Sequence, residues 1–193
     1  LRYDGKHLHQ LEFPKSPNED EFYKKYPSHN KNDYSPYDIY AIHKDKKGHV
    51  WFGTGNLGLC RYNGKTISWM YEESLTYTPE GGSFGIRSIY EDTKGKFWIC
   101  NTNNSFKMGK GNKMVDGYSY LNYKKEKGID FSKFNKDKIY FQSIIEDKNS
   151  ELWMTTYSDG IYRFNGKEIK HYIIKDGEKA INILCIFKDE NEV

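Results

Sequence analysis

Polar and apolar residues alternate with a period of two along much of this chain, in short stretches bounded by Gly, Asn and Asp. Residues 45–65, DKKGHVWFGTGNLGLCRYNGK, show the plan at its densest. The stretch before them alternates around Ile39 and Ile42 and predicts a first strand. A turn at Asp45–Gly48 closes it, with the Asp side chain bonding nearby backbone and the Gly taking positive φ. HVWFGT predicts a second strand, GNLG a short link, LCRYN a third strand, Asn63-Gly64 a turn and KTISWMY a fourth. No segment reads as a helix.

The plan recurs. Trp51, Trp98 and Trp153 each stand six residues after an Asp (Asp45, Asp92, Asp147) and thirteen before a Gly (Gly64, Gly111, Gly166). Upstream, IYAIHKD, IRSIYED and FQSIIED keep an Ile three residues before the Asp. A fourth such head, INILCIFKD, begins at Ile181. The opening LRYDGKHLHQLEF matches the tail that follows a Trp, with Arg2, Tyr3 and Gly5 in the places of Arg61, Tyr62 and Gly64.

Four antiparallel strands repeated at intervals of 47 and 55 residues are the signature of a propeller blade, so the expected fold is an all-β propeller. The single domain 1–193 divides into 1–13 as the end of one blade, 38–72 as a blade, 86–114 as a blade with 115–139 inserted, 140–173 as a blade, and 181–193 as the start of another. The two partial ends would share a fourth blade of a small ring, or the chain is an arc of a larger one. A shared blade would lack most of its second strand, and a four-bladed ring with residues missing is the favoured reading. Leu1 is neither an initiator Met nor a lipoprotein Cys, so the chain reads as an excerpt from a longer product.

Composition narrows the function. Thirty basic against 27 acidic residues give a net charge of +3, too even to argue for nucleic acid or for membrane contact. Aromatic residues make up 17% of the chain, so a core of few, large side chains is expected. Trp51, Trp98 and Trp153 read as wedges between neighbouring blades, and Asp45, Asp92 and Asp147, with Gly64 and Gly166, as turn formers. A calcium loop needs several converging oxygen ligands, whereas DKKGH and DTKGK offer one carboxylate among lysines. The six histidines have no metal spacing; His7 and His9 alternate on a strand, but no third ligand is evident. No metal, cofactor or catalytic residue is therefore assigned. Three cysteines at three unrelated repeat positions (Cys60, Cys100, Cys185) read as buried free thiols.

Asp-x-x-Gly-x-x-Trp-x-Gly-Thr followed by Gly-Leu-x-Arg-Tyr-Asn-Gly, carried by Asp45, Gly48, Trp51, Gly53, Thr54, Gly58, Leu59, Arg61, Tyr62 and Gly64, resembles the two-component regulator propeller repeat. Asp147, Trp153, Thr156, Gly160, Ile161, Arg163 and Gly166 carry it again, and Arg2, Tyr3, Asp4 and Gly5 in part. The middle repeat has Cys100-Asn101 in place of Gly-Thr. The resemblance implies a bacterial extracytoplasmic setting, periplasmic or extracellular, and a part in signalling.

Residues outside the repeat are where binding is expected. Segments 14–38, 72–85 and 115–140 each join one blade to the next, and in a propeller such connections share a face with the links between second and third strands, leaving only tight turns opposite. Loops on a rigid scaffold gather binding residues. Tyr34, Tyr37, Tyr77, Phe84, Tyr118, Tyr120 and Tyr123 are candidates to stack on a small molecule or glycan, with Asp38, Arg87 and Gln142 adding polar contacts at the channel mouth. The alternative for these aromatics is to pin the long loops to blade edges. The leading reading is a ligand-sensing module; a carbohydrate-active or lyase-type enzyme and a protein-interaction scaffold are the alternatives.

Overall fold

Each Asp-to-Trp repeat is organised by one carboxylate. In the computed structural model, which describes residues 1–27, 35–75, 85–136 and 139–189, Asp45 Oδ1 accepts the backbone N–H groups of Lys47 and His49, and Oδ2 accepts the indole N–H of Trp51 at 2.9 Å. Asp92 does the same for Lys94, Lys96 and Trp98, and Asp147 for Asn149, Glu151 and Trp153, at 2.8–3.0 Å. The Asp thus closes the turn and aims the ring, which explains the fixed six-residue spacing.

A small hairpin opens the chain, β1 (Arg2–Tyr3) and β2 (Leu8–His9), followed by a helix α1 (Glu19–Lys25). Unit one is β3 (Ile39–Lys44), β4 (Val50–Thr54), β5 (Leu59–Tyr62) and β6 (Ile67–Met70). Unit two is β7 (Ile89–Glu91), β8 (Lys96–Ile99), β9 (Ser105–Val115) and β10 (Tyr118–Glu126). Unit three is β11 (Ser143–Glu146), β12 (Leu152–Thr155), β13 (Ile161–Phe164) and β14 (Ile169–Tyr172), and a hairpin of β15 (Lys175–Asp176) and β16 (Lys179–Ala180) follows. Within each unit the strands pair in order and antiparallel. The first strands β3, β7 and β11 stand beside one another.

One continuous core runs through the three units, from Trp51, Leu59 and Met70 through Phe97, Trp98 and Phe106 to Met154 and Tyr162. The Trp51 ring lies 4.6 Å from Phe97 of the next unit, so the indole packs across the junction of units one and two. Backbone bonds repeat at each junction: Ile86 N–H donates to the Thr54 carbonyl (3.0 Å), Phe141 to Cys100 (2.9 Å) and Ile183 to Thr156 (3.3 Å). The last of these docks the fourth head on unit three. Glu91 and Glu146 add a second tie, accepting N–H bonds from Lys46 (2.7 Å) and Thr93 (2.6 Å) of the preceding unit's turn. Gly53 is obligatory at the first junction because a Cβ there would come within 2.6 Å of Ile86.

The structure departs from the sequence expectations in five places. Helix α1 forms inside segment 14–38, where none was expected; its Phe22 is buried with Leu57, Cys60, Ile67 and Trp69 on one face of unit one. With one buried residue in seven, its periodicity is too short to register. Residues 118–126, read as part of an insertion, are the fourth strand of unit two, and β10 also pairs in parallel with β6 (Tyr120 opposite Trp69), joining units one and two into one eight-stranded sheet. Trp153 is only partly buried, unlike Trp51 and Trp98. Cys185 is exposed, while Cys60 and Cys100 are buried free thiols. Among the described residues β1 and β2 form a sheet of their own, not joined to 181–189.

Trp51→Ala is expected to cost about 3–5 kcal/mol of stability, as for a fully buried large aromatic, and Trp153→Ala distinctly less; chemical denaturation of the two variants checks the order. Burial works to raise the Asp45 carboxyl, but the bonds from the Trp51 indole and the His49 backbone outweigh it and hold the group below its usual range; Asp147 is held low likewise by Trp153, Glu151 and Asn149 against burial. Carboxylates depressed in the folded state stabilise fully above their unfolded value near ~4 and lose that contribution as pH falls. Melting temperature should therefore drop on acidification below about pH 4, and Asp45→Asn should blunt that drop.

Candidate functional site

A hollow lies on the outer rim of unit one. It measures about 670 Å³ and is lined by residues 11–15, by Tyr62, Lys65, Ile67 and Trp69 of unit one, and by Asn112, Met114 and Tyr118 of the β9–β10 hairpin. Each wall has a local cause. β9 continues past its last pairing with β8, Lys107 opposite Lys96, so residues 108–115 and their β10 partners form an arm that reaches beyond the rest of unit two. Asp116 (φ 49°) and Gly117 (φ 81°) turn it, the two left-handed residues of a tight hairpin loop. A register shift between Leu121 and Tyr123 bends the arm.

Polar contacts hold the arm against unit one. The Arg61 guanidinium donates to Asn112 Oδ1 (3.0 Å), the Asn112 amide donates to Ser68 Oγ (2.7 Å), and Ser68 and Ser119 share a hydroxyl bond of 2.8 Å. Arg61 also lies 5.6 Å from the Trp51 ring, so one repeat residue supports both the wedge and the arm. The arm projects beyond the turns of the face expected to carry nothing larger, and that expectation is corrected.

On the other wall, Phe13 packs edge-on against Phe52 at 5.1 Å. Lys15 is paired with Asp20 at 2.6 Å, a bond that holds its ammonium above the usual lysine range. A neighbouring hollow of about 400 Å³ is lined by Phe13, Lys15, Glu19 and Tyr37. The Tyr37 hydroxyl accepts the Ser16 N–H (2.8 Å) and donates to Glu19. Burial, reinforced by Glu19, pushes that phenol well above its ordinary value, so it stays protonated.

The expected ligand-binding residues therefore separate. Tyr118 lines the rim cleft and Tyr37 the hollow beside it. Tyr120 lies on β10 against Trp69 and Tyr123 packs on Phe106, so both belong to the sheet rather than to a loop. Asp38 is exposed after the Ser35–Asp38 turn, the Arg87 guanidinium covers the Tyr40 ring at 4.9 Å, and Gln142 is buried with its N–H on Thr155; none of the three lines these hollows. Tyr34, Tyr77 and Phe84 lie outside the described residues. On the loop-bearing face a polar hollow of about 480 Å³ is lined by Ser74, Thr102–Asn104, Lys125 and Lys127–Asp130.

Trp69 was missed because it stands outside the repeat register. It is 1% exposed, and its indole N–H has no partner among the described residues. Asp116-Gly117 was the available signal for the arm, since Asp-Gly between alternating residues is a hairpin signature. A second polar cluster was also unforeseen. Asp159 accepts from Lys136 and from the Tyr162 hydroxyl, while the Tyr162 ring stacks on His171 at 4.3 Å. Burial opposes ionisation of Asp159, but Lys136 and Tyr162 outweigh it and hold the carboxyl low. With Phe131 and Phe134 edge-on to Tyr162, this cluster pins segment 129–136 to unit three.

Residues 33–56 match the model of the two component regulator propeller family. Over 77 residues, 40% of this chain, the sequence is 35% identical to a protein named histidine kinase P4 from Formosa agariphila, and the match covers 5% of that kinase. Among solved structures, the extracellular domain of BT4673 from B. thetaiotaomicron, described as a one component system, is 23% identical with a TM-score of 0.50, covering 80% of this chain and 19% of that one. A second structure of that domain, described as a hybrid two component system, is 24% identical with a TM-score of 0.49 over the same shares. The chain thus spans a small fraction of each relative. No helix among the described residues is long and apolar enough to cross a membrane. The repeat read from Asp45, Trp51 and Gly53 is thus a two-component regulator propeller match in its own right, on an all-β chain whose fold is similar to that of an extracellular domain.

Proposed function

We propose that this chain is a ligand-binding propeller segment of a bacterial two-component-type sensor, outside the cytoplasmic membrane, and that it takes a small molecule or short glycan in the rim cleft. The observation that carries the reading is the cleft itself. Its volume falls within the roughly 300–1,000 Å³ of small-molecule sites, and its lining is mainly apolar and aromatic with a few polar groups, as such sites are. Tyr118, Tyr62 and Phe13 offer ring faces, and Lys65, Lys15 and Asn112 offer donors. Among the described lining residues the one carboxylate is Glu12, which favours binding over acid–base turnover. The extracytoplasmic setting is supported by the extracellular neighbour, and the sensor reading by the kinase named above.

A ligand here would touch residues 11–15, β6 and the arm at once. Its binding energy would tie three segments distant in sequence, which is how occupancy could reach the rest of a sensor. A titration of neutral and anionic mono- and oligosaccharides and small aromatic acids, read by tryptophan fluorescence, tests the proposal. A ligand is expected whose affinity falls about tenfold, or ~1.4 kcal/mol, in Tyr118→Ala and in Lys65→Ala, with melting temperature nearly unchanged and with Arg87→Ala binding as before. Binding lost in Arg87→Ala but kept in Tyr118→Ala would move the site to the channel mouth and refute the rim cleft.

A further inference from the structure

Three metal-ligating side chains meet on the opening hairpin. One ligand atom from each of Asp4, His7 and His9 lies within 4.8 Å of the others, and all three residues are exposed. The His-x-His spacing alone lacked a third ligand, and the hairpin turn supplies it.

The same turn occurs three times among the described residues, which separates what folding needs from what is added. Asp4 Oδ1 accepts the N–H groups of Lys6 (2.9 Å) and His7 (2.8 Å). Asn63 Oδ1 does so for Lys65 and Thr66, and Asn165 Oδ1 for Lys167 and Glu168, at 2.8–3.0 Å. An amide therefore suffices for the turn, and the second oxygen of Asp4 is surplus to it. That oxygen faces His9 Nε2 at 2.6 Å. The positions of His7 and His9 are held by Thr66 and Ser68 in unit one and by Glu168 and Lys170 in unit three, so the strand pairing does not require imidazoles.

From this arrangement the geometry points to a divalent transition-metal site, best suited to zinc(II), formed by Asp4, His7 and His9 with water completing the coordination. Zinc takes imidazole nitrogen and carboxylate oxygen at about 2.0–2.2 Å. The Asp4–His9 contact opens slightly to admit the ion, and the exposure of all three side chains permits it. Calcium and magnesium, which favour all-oxygen sets, are poorly matched to two nitrogens. The site closes the β1–β2 hairpin by linking Asp4, just after β1, to His7, just before β2, and to His9 at the end of β2.

The test is calorimetric titration of the full chain with zinc chloride, in a Cys185→Ser background that removes the exposed thiol. One zinc per chain is expected, with magnesium and calcium far weaker. Asp4→Asn keeps the turn as units one and three make it, so it should leave melting temperature in the absence of metal unchanged while weakening zinc about tenfold or more. His7→Ala and His9→Ala should weaken it similarly. Undetectable zinc binding, or unchanged affinity in any one of the three variants, overturns the site.

Discussion

The structure depends on the bond between a turn carboxylate and an indole six residues later. A Trp in a strand could rotate to several positions, and only one of them wedges it toward the adjoining sheet. Asp45, Asp92 and Asp147 remove that freedom by accepting the indole N–H while their other oxygen gathers the turn's own N–H groups. A polar atom buried with the ring is thereby satisfied, and unit-to-unit packing is set by local chemistry.

Where the local chemistry lapses, the structure substitutes. In units one and three a Thr hydroxyl bonds the Gly58 or Gly160 carbonyl and staples the link between second and third strands. Unit two has Asn101 there, and its amide reaches instead to the carbonyls of Leu75 and Gly85, so the same slot anchors the incoming connection. Ser150, where the other two turns have Gly, accepts φ of 59° and keeps the bond to Asp147. The repeat tolerates loss of a residue type when the hydrogen bond can be recovered.

What could be read from the sequence divides along the same line. The Asp–Trp pairs, the Asn-Gly turns and the strand order were visible because each is settled within about a dozen residues. The arm was not, although Asp116-Gly117 announced a hairpin, because its partner β6 lies some fifty residues upstream and its pairing is parallel. Tyr37 reads from the sequence as a ligand contact, and its hydroxyl is engaged by Ser16 and Glu19, partners that no local pattern indicates. Tyr118 was picked as a loop aromatic and lines the cleft from a strand. Arg87, Asp38 and Gln142 were placed by assuming an open channel mouth, whereas Arg87 covers Tyr40 and Gln142 is buried.

The parallel bridge between β6 and β10 has a mechanical meaning. Units one and two share hydrogen-bonded backbone at their outer edges as well as packed side chains between them, and their first strands stand side by side, so the pair is tied at both edges. Among the described residues no such outer bridge joins unit two to unit three, which meet through their inner strands, buried aromatics and the Thr93–Glu146 tie. A load applied along the rim would be shared across the first pair and concentrated at the second junction. If the chain bends as it works, the compliant seam is there.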